Sequence, residues 1–500
     1  MGLTIVTLAL ILGTVLATVY FRLSSNKDSL PSGPPGHWLL GNAPSGPHAS
    51  RRVAELVEAY GPVITLRYGI RLVCVVGRYE AAVDILQKHS LETSDRPRAI
   101  VANEILSKGL RVLMVRAGDR LKRIRRALHA YLQPSVAVTY TPIQYRYAKK
   151  YIVDCYRKPD EHLEHAKSYA ASLVLTIAYG KTSPSSYSDP DVRAINKYLQ
   201  RLTVALRPGA YLVESFPFLK YIPGYLSHFH RWQREENALF ASQLEAVRRK
   251  MEAGEAESCF AAYLIENQER LGLSYDEMVY VAGAVFGAGS DTTAAALGVV
   301  TMAAACYPEA QKAVQAQLDQ VVGRGRLPSF EDQDMLPEVT AFVLESFRWR
   351  PVSVGGFSHR TMKDVIWRNY VIPAGTEIVG NHWAISRDPE VYPDPETFNP
   401  RRWLDGQGRL RDDLKFFNFG FGRRVCIGQH VANNSLFINT ALILWAFSIT
   451  QNPSKPIDTF AFTDSANSHP LPFSVSLQPR VKNLEELLGI TVHVASVDYS

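Results

Sequence analysis

Phe416-Phe-Asn-Phe-Gly-Phe-Gly-Arg-Arg-Val-Cys-Ile-Gly428 is the stretch on which the reading of this chain turns, and Cys426 is its centre. Gly420 and Gly422 permit a tight turn that a Cβ would obstruct. Phe419 and Phe421 are placed to wall that turn off from water. Beyond Gly428 the pattern becomes helical: Val431, Ala432, Ser435, Leu436, Asn439, Thr440, Ile443 and Leu444 recur at spacings of three and four. Cys426 thus precedes a helix N-terminus, where the dipole and free N–H groups favour a thiolate, and Arg424 adds positive charge two residues back. A buried, inert cysteine is the plainer reading of such a residue. A single thiolate held this way suits one axial bond to haem iron better than a tetrahedral zinc site.

The spacing Phe419-x-x-Gly422-x-Arg424-x-Cys426-x-Gly428, with Ala432 further on, resembles the haem-binding loop of the haem-thiolate monooxygenases, the cytochromes P-450. The resemblance implies that family's fold, mainly α with a minor β component, in a single large haem domain. It also implies haem b held through Cys426, with Phe419 and Arg424 beside it.

Composition leaves room for this. Five hundred residues correspond to about three average domains, a prior that large single domains break. Hydrophobic residues at 46% and charged residues at 21% supply a core and an ordinary surface. Cys74, Cys155, Cys259, Cys306 and Cys426 are scattered and odd in number, which argues against a disulfide framework and fits a reducing compartment. A net charge of +7 with no recognised nucleic-acid motif points to an acidic protein partner or an anionic membrane surface, and not to nucleic acid.

Residues 3–21 are apolar apart from four threonines and carry no charge, close to the ~20 residues a membrane-spanning helix needs. A cleaved signal peptide would show a basic segment before this run, and Val6 stands where myristoylation needs Ser or Thr. Arg22 and Lys27 follow, which keeps the rest of the chain cytosolic by the positive-inside rule. The expected organisation is a transmembrane signal-anchor over 1–23, a Pro/Gly-rich hinge over 24–40 and a haem-thiolate catalytic domain over 41–500. The implied location is the endoplasmic reticulum membrane, spanned once.

Residues 59–76 alternate around Gly61-Pro62 and Gly69 and read as a hairpin. Gly118 to Arg126 opens a basic helix. The family shows Trp-x-x-x-Arg here, both side chains meeting a haem propionate; this chain has Leu121 in place of the Trp and keeps Arg125. Arg120, Lys122, Arg123 and Arg126 could join Lys415 and Arg423 in a positive docking face for a reductase. Residues 216–226 form an aromatic, Pro- and Gly-broken segment, read either as a buried loop or as an interfacial lip over the substrate entrance.

Ser274-x-x-Glu277 is a capping box for a long apolar helix ending near Tyr307, before Pro308. Its middle, Ala288-Gly-Ser-Asp-Thr-Thr293, resembles the family's oxygen-binding kink, which implies proton transfer by Asp291 and Thr292 and close cofactor approach at Gly289. Glu345 and Arg348 share a helix face at i,i+3 and, with Arg402, resemble the family's buried ion network. His359 aligns with a propionate ligand, although Ser358 replaces the usual Pro, and Val352, Val354 and Phe357 are expected to line the pocket. Gly180-Lys-Thr182 lacks the upstream glycine of a phosphate loop, and Gly287-x-Gly289 lacks the third glycine of a dinucleotide site.

Taken together, the resemblance implies O2-dependent oxidation of an apolar small molecule, with a terpenoid or polyketide intermediate of fungal specialised metabolism expected by analogy. Electrons would come from NADPH through a separate reductase, since no flavin-binding segment follows the haem loop. A dehydrating, isomerising or peroxide-using haem-thiolate enzyme is one rival. A non-catalytic membrane haem-binding protein is the other, favoured slightly by Leu121.

Overall fold

Ser274 opens the helix against which the others pack. Its hydroxyl accepts the Glu277 N–H at 3.2 Å while the Glu277 carboxylate accepts the Ser274 N–H at 3.0 Å, so the expected capping box is closed. The helix runs Tyr275–Cys306 and stops before Pro308, which has no N–H to continue it and starts the next helix. In this computed structural model residues 29–489 are described, apart from 38–40, 43, 45, 70, 182–188 and 208–209. The anchor expected over 1–23 and part of the hinge lie outside the described residues. Among the described residues no helix is long and apolar enough to cross a membrane.

The principal helices are α1 (Ala49–Tyr60), α2 (Asp119–Leu132), α3 (Thr141–Arg157), α4 (His162–Tyr179), α5 (Pro190–Ala205), α6 (Ser227–Glu252), α7 (Tyr275–Cys306), α8 (Pro308–Val321), α9 (Pro337–Trp349) and α10 (Gln429–Ala446). The strands are β1 (Val63–Tyr68), β2 (Arg71–Val76), β3 (His359–Arg360), β4 (Val365–Trp367), β5 (Tyr370–Ile372), β6 (Glu377–Gly380), β7 (Phe447–Thr450) and β8 (Ser476–Pro479). The expected balance, mainly α with minor β, is what forms.

Helices α4, α7 and α10 are apolar nearly all round, and each is buried over most of its length, as a helix without a polar face must be. Glycines set how closely α7 meets its neighbours. A Cβ on Gly283 would lie 2.5 Å from the Phe240 ring of α6, and one on Gly289 would lie 2.3 Å from Val174 Cγ1 of α4. The volume missing at Gly289 is therefore filled by a neighbouring helix. By contrast α2 is amphipathic, burying Leu121, Ile124, Leu128 and Leu132 while Lys122 and Arg126 stand exposed.

One mixed sheet, in the order β1-β2-β6-β3, flanks the helical core. The hairpin pairs Val63 with Val76 and Tyr68 with Arg71; it begins later than the alternation promised, because Ala59 and Tyr60 close α1. β2 then runs parallel to β6, and β6 antiparallel to β3, which fixes His359 opposite Ile378. The 216–226 segment is exposed and not a buried loop. Phe218 is 65% exposed and Tyr221 77%, while Leu226 beneath them is buried.

Candidate active site

The turn before α10 is built by its own backbone. The Gly420 N–H donates to Phe417 O at 2.9 Å and the Cys426 N–H to Phe419 O at 2.9 Å, with Gly420 at φ 80° and Gly422 at φ 46°. Gly422 also has no room for a side chain: a Cβ would sit 2.3 Å from Ser90 Cβ and 2.9 Å from Leu86 O. Phe421 is buried, and Phe419 packs edge-on against Phe347 of α9 at 5.6 Å. These bonds and contacts constrain the loop, and in it the Cys426 thiol faces a cavity of about 940 Å³. The surface this thiol exposes is cavity wall. Burial pushes its pKa up, opposed by the Gly428 N–H and the charge of Arg125. An iron bond at this sulfur would displace the proton outright.

Positive charge collects along one side of the same cavity. Arg424 Nε donates to Ser94 O at 2.6 Å and its Nη2 to Val115 O at 2.8 Å. Arg125 Nη2 reaches Val425 O at 3.2 Å. Arg96 donates to Leu113 O at 3.1 Å and Phe357 O at 2.9 Å. The nearby carboxylate, Asp95, is taken by Arg116, Arg360 and the Ala117 N–H. Burial, then the charges of Arg424 and Arg125, pulls Arg96 down to about 9; burial, then Arg125, brings Arg424 to about 10. Buried cations without a counter-ion are costly unless an anion joins them.

His359 stands among them, with Nδ1 2.8 Å from Thr93 O. Burial and the Arg96 charge hold its pKa down at about 3. With Nδ1 donating to that carbonyl, neutral Nε2 is an acceptor, so an arriving carboxylate would have to bring the second proton with it. A cavity with one thiol on its wall and two buried guanidiniums and a half-buried one at its edge fits an iron macrocycle carrying acidic side arms. Leu121 is buried on the same wall and donates nothing, as its side chain dictates.

The middle of α7 lines the cavity through Ala288, Gly289, Asp291 and Thr292. The Thr292 hydroxyl donates back to Ala288 O at 2.9 Å. Asp291 is held from outside its helix: His469 Nε2 lies 2.8 Å from Oδ1, and Asn467 Nδ2 donates to Oδ2 at 2.8 Å. Val352 and Phe357 line the cavity as expected; Val354 does not, and its carbonyl instead accepts the Trp383 N–H at 3.0 Å.

Away from the cavity, Glu345 and Arg348 are fully buried. Arg348 makes a two-pronged contact with Glu345 at 2.7 and 2.9 Å, and Arg402 Nε donates to Glu345 Oε1 at 3.1 Å. Asn399 N–H and Trp403 Nε1 fill the remaining carboxylate positions. The three expected partners are thus together and fully satisfied.

Sequence reasoning missed Arg96, Asn467 and His469. The supposed docking face is also thinner than the charge pattern implied, because Arg120 turns inward to Glu277 at 2.7 Å and Lys122 pairs with Asp119 at 2.9 Å. Arg126, Lys415 and Arg423 remain exposed.

Comparison with known proteins agrees with this geometry. Residues 31–477 match the family model for cytochrome P-450. The chain is 65% identical over 492 residues to cytochrome P-450 monooxygenase 88 of Postia placenta, covering 98% of this chain and 99% of that one. It is 65% identical to monooxygenase 113 of the same fungus, over 95% of this chain and 97% of that one. A cytochrome P-450 monooxygenase of Armillaria gallica is 37% identical, over 95% and 96%.

Proposed function

Given that the chain belongs to the cytochrome P-450 monooxygenase family, we propose that it inserts one oxygen atom from O2 into an apolar small molecule, drawing electrons from NADPH through a separate reductase. Haem, when bound, would supply O2 activation, with the second oxygen atom leaving as water. The observation that carries the reading is Cys426 on the wall of the cavity that α7 also lines, with Arg96, Arg125 and Arg424 bonded to main-chain carbonyls at its edge.

Each residue then has a task. Cys426 is the iron ligand, and its rigid loop fixes the sulfur. Arg96, Arg125, Arg424 and His359 receive the propionates. Leu121, standing where the family has Trp, leaves that contact to the cations alone. Asp291 and Thr292 move protons toward the oxygen side of the cavity, Thr292 from a hydroxyl already fixed on Ala288 O. Glu345, Arg348 and Arg402 hold the surrounding core and take no part in the chemistry. Apolar side chains, leucine and valine foremost, make up most of the cavity wall, which supports an apolar substrate; a terpenoid or polyketide intermediate rests on resemblance to fungal relatives. An anchor over 1–23 would place the domain on the cytosolic face of the endoplasmic reticulum, with the aromatic lip toward the bilayer.

The test is reductase-dependent NADPH consumption over a substrate panel, read beside product formation. Product with one oxygen from O2 supports the reading. Consumption that yields only peroxide or water on every compound contradicts it.

A further inference from the structure

The hairpin formed by residues 461–471 does more than cap the cavity. Phe462 bridges Pro470, the Thr463 N–H donates to His469 O at 2.9 Å, and the His469 N–H donates to Thr463 Oγ1 at 3.0 Å. Its tip is tied to the cavity wall twice. Ser468 N–H donates to Val352 O at 2.7 Å, and Ser353 Oγ donates to Asn467 Oδ1 at 3.1 Å. From this tip two side chains reach α7 and engage both oxygens of Asp291, each at 2.8 Å. Asp291, Asn467, His469, Ser353 and Val352 all line the one cavity.

The sequence separation is what makes this arrangement informative. Residues 176 and 178 positions away supply the two donors, so the contact is tertiary and has no helix-local cause. A carboxylate fixed by a pair of donors from one rigid strap has a single orientation, whereas the same side chain alone on a helix samples several rotamers. The strap is also wall of the cavity, so a molecule lying against Ser353 or Asn467 touches the very groups that aim Asp291.

We propose that His469 and Asn467 are positioning residues for Asp291, coupling proton delivery at the α7 wall to how the hairpin tip is seated by substrate. The inference rests on the monooxygenase reading and deepens it. It assigns His469 no contact with the reacting atoms. When the strap is seated, Asp291 faces its proton donor in one pose and protons arrive with each turnover. When His469 is missing, Asp291 turns away and reduced oxygen leaves as peroxide.

The experiment uses full-length enzyme, reductase and a substrate found in the panel above, with two readouts. First, His469→Phe is expected to raise peroxide per NADPH about tenfold, whereas His469→Gln, whose amide N–H can stand near Nε2, keeps at least half of wild-type coupling. Second, acylation of His469 by diethyl pyrocarbonate, followed by peptide mass spectrometry on haem-free and haem-loaded protein, is expected to run several-fold faster in Asp291→Asn than in wild type. Unchanged coupling in His469→Phe overturns the proposal. So does equal loss in the Phe and Gln variants, which would mark simple packing, and so does a labelling rate indifferent to Asp291. A wild type that makes peroxide but no product on any substrate overturns the monooxygenase reading itself, and the coupling role with it.

Discussion

Under the proposed function, removing Thr292 should separate oxygen insertion from mere oxygen reduction. Its hydroxyl is already fixed on Ala288 O, so Thr292→Ala deletes a proton station without opening the helix. The expected outcome is more peroxide and less product at similar NADPH consumption; unchanged coupling would remove Thr292 from the relay. Arg96 has a different task. It is buried, bonded to main-chain carbonyls and pressed by two neighbouring guanidiniums, so its charge makes sense only when an anion is present. Arg96→Leu should weaken haem retention by about tenfold or more, as loss of a charge-assisted bond dictates. Haem-to-protein ratio after gel filtration measures it. That Cys426, Arg424 and Arg125 would meet at one site was legible in the sequence because each sits in a short motif of fixed spacing. Arg96 was not, because it joins the cluster from a loop far from that motif, and nothing local to it marks a cofactor ligand.

At the scale of helices, the α4–α7 crossing is set by Gly289. A Cβ there would strike Val174 at 2.3 Å, so Gly289→Ala should lose about 1–3 kcal/mol by overpacking, outweighing the ~1 kcal/mol that Ala gains in helix propensity. Val174→Ala in the same chain should recover much of it, read as the urea midpoint of haem-free protein. The sequence reading expected the cofactor to approach closely at Gly289; the neighbour that fills the missing side-chain space is α4. His162, the first residue of α4, is buried against the Phe473 ring at 4.9 Å. Burial lowers its pKa from 6.5 to about 4. Below pH 6.5 the unfolded chain takes up a proton that the folded chain refuses, so stability falls as pH drops from 6.5 toward 4, by up to about 3 kcal/mol. His162→Phe should flatten that decline. An unaltered pH profile of the thermal midpoint would contradict the assignment.

Over the whole molecule, the Glu345–Arg348–Arg402 network ties α9 to the segment that leads to the cysteine loop. Removing its carboxylate leaves buried Arg348 and partly buried Arg402 without their anion, and Glu345→Ala should cost about 3–5 kcal/mol, seen as a lowered unfolding midpoint and poor haem loading. This network was legible because two of its members lie one helical turn apart, with the third in a recognisable motif. The Asp291 clamp was not legible, since its two halves meet only when the end of the chain folds back over α7. The cysteine loop, the arginine cluster and the Asp291 clamp converge on one cavity, and everything turns on which atom there grips the iron. The direct measurement is the carbon-monoxide difference spectrum of reduced, haem-loaded protein, wild type beside Cys426→Ser. The account predicts the thiolate signature in the wild type and its loss in the variant. A signature that survives Cys426→Ser, or a wild type whose haem shows imidazole ligation, would contradict it.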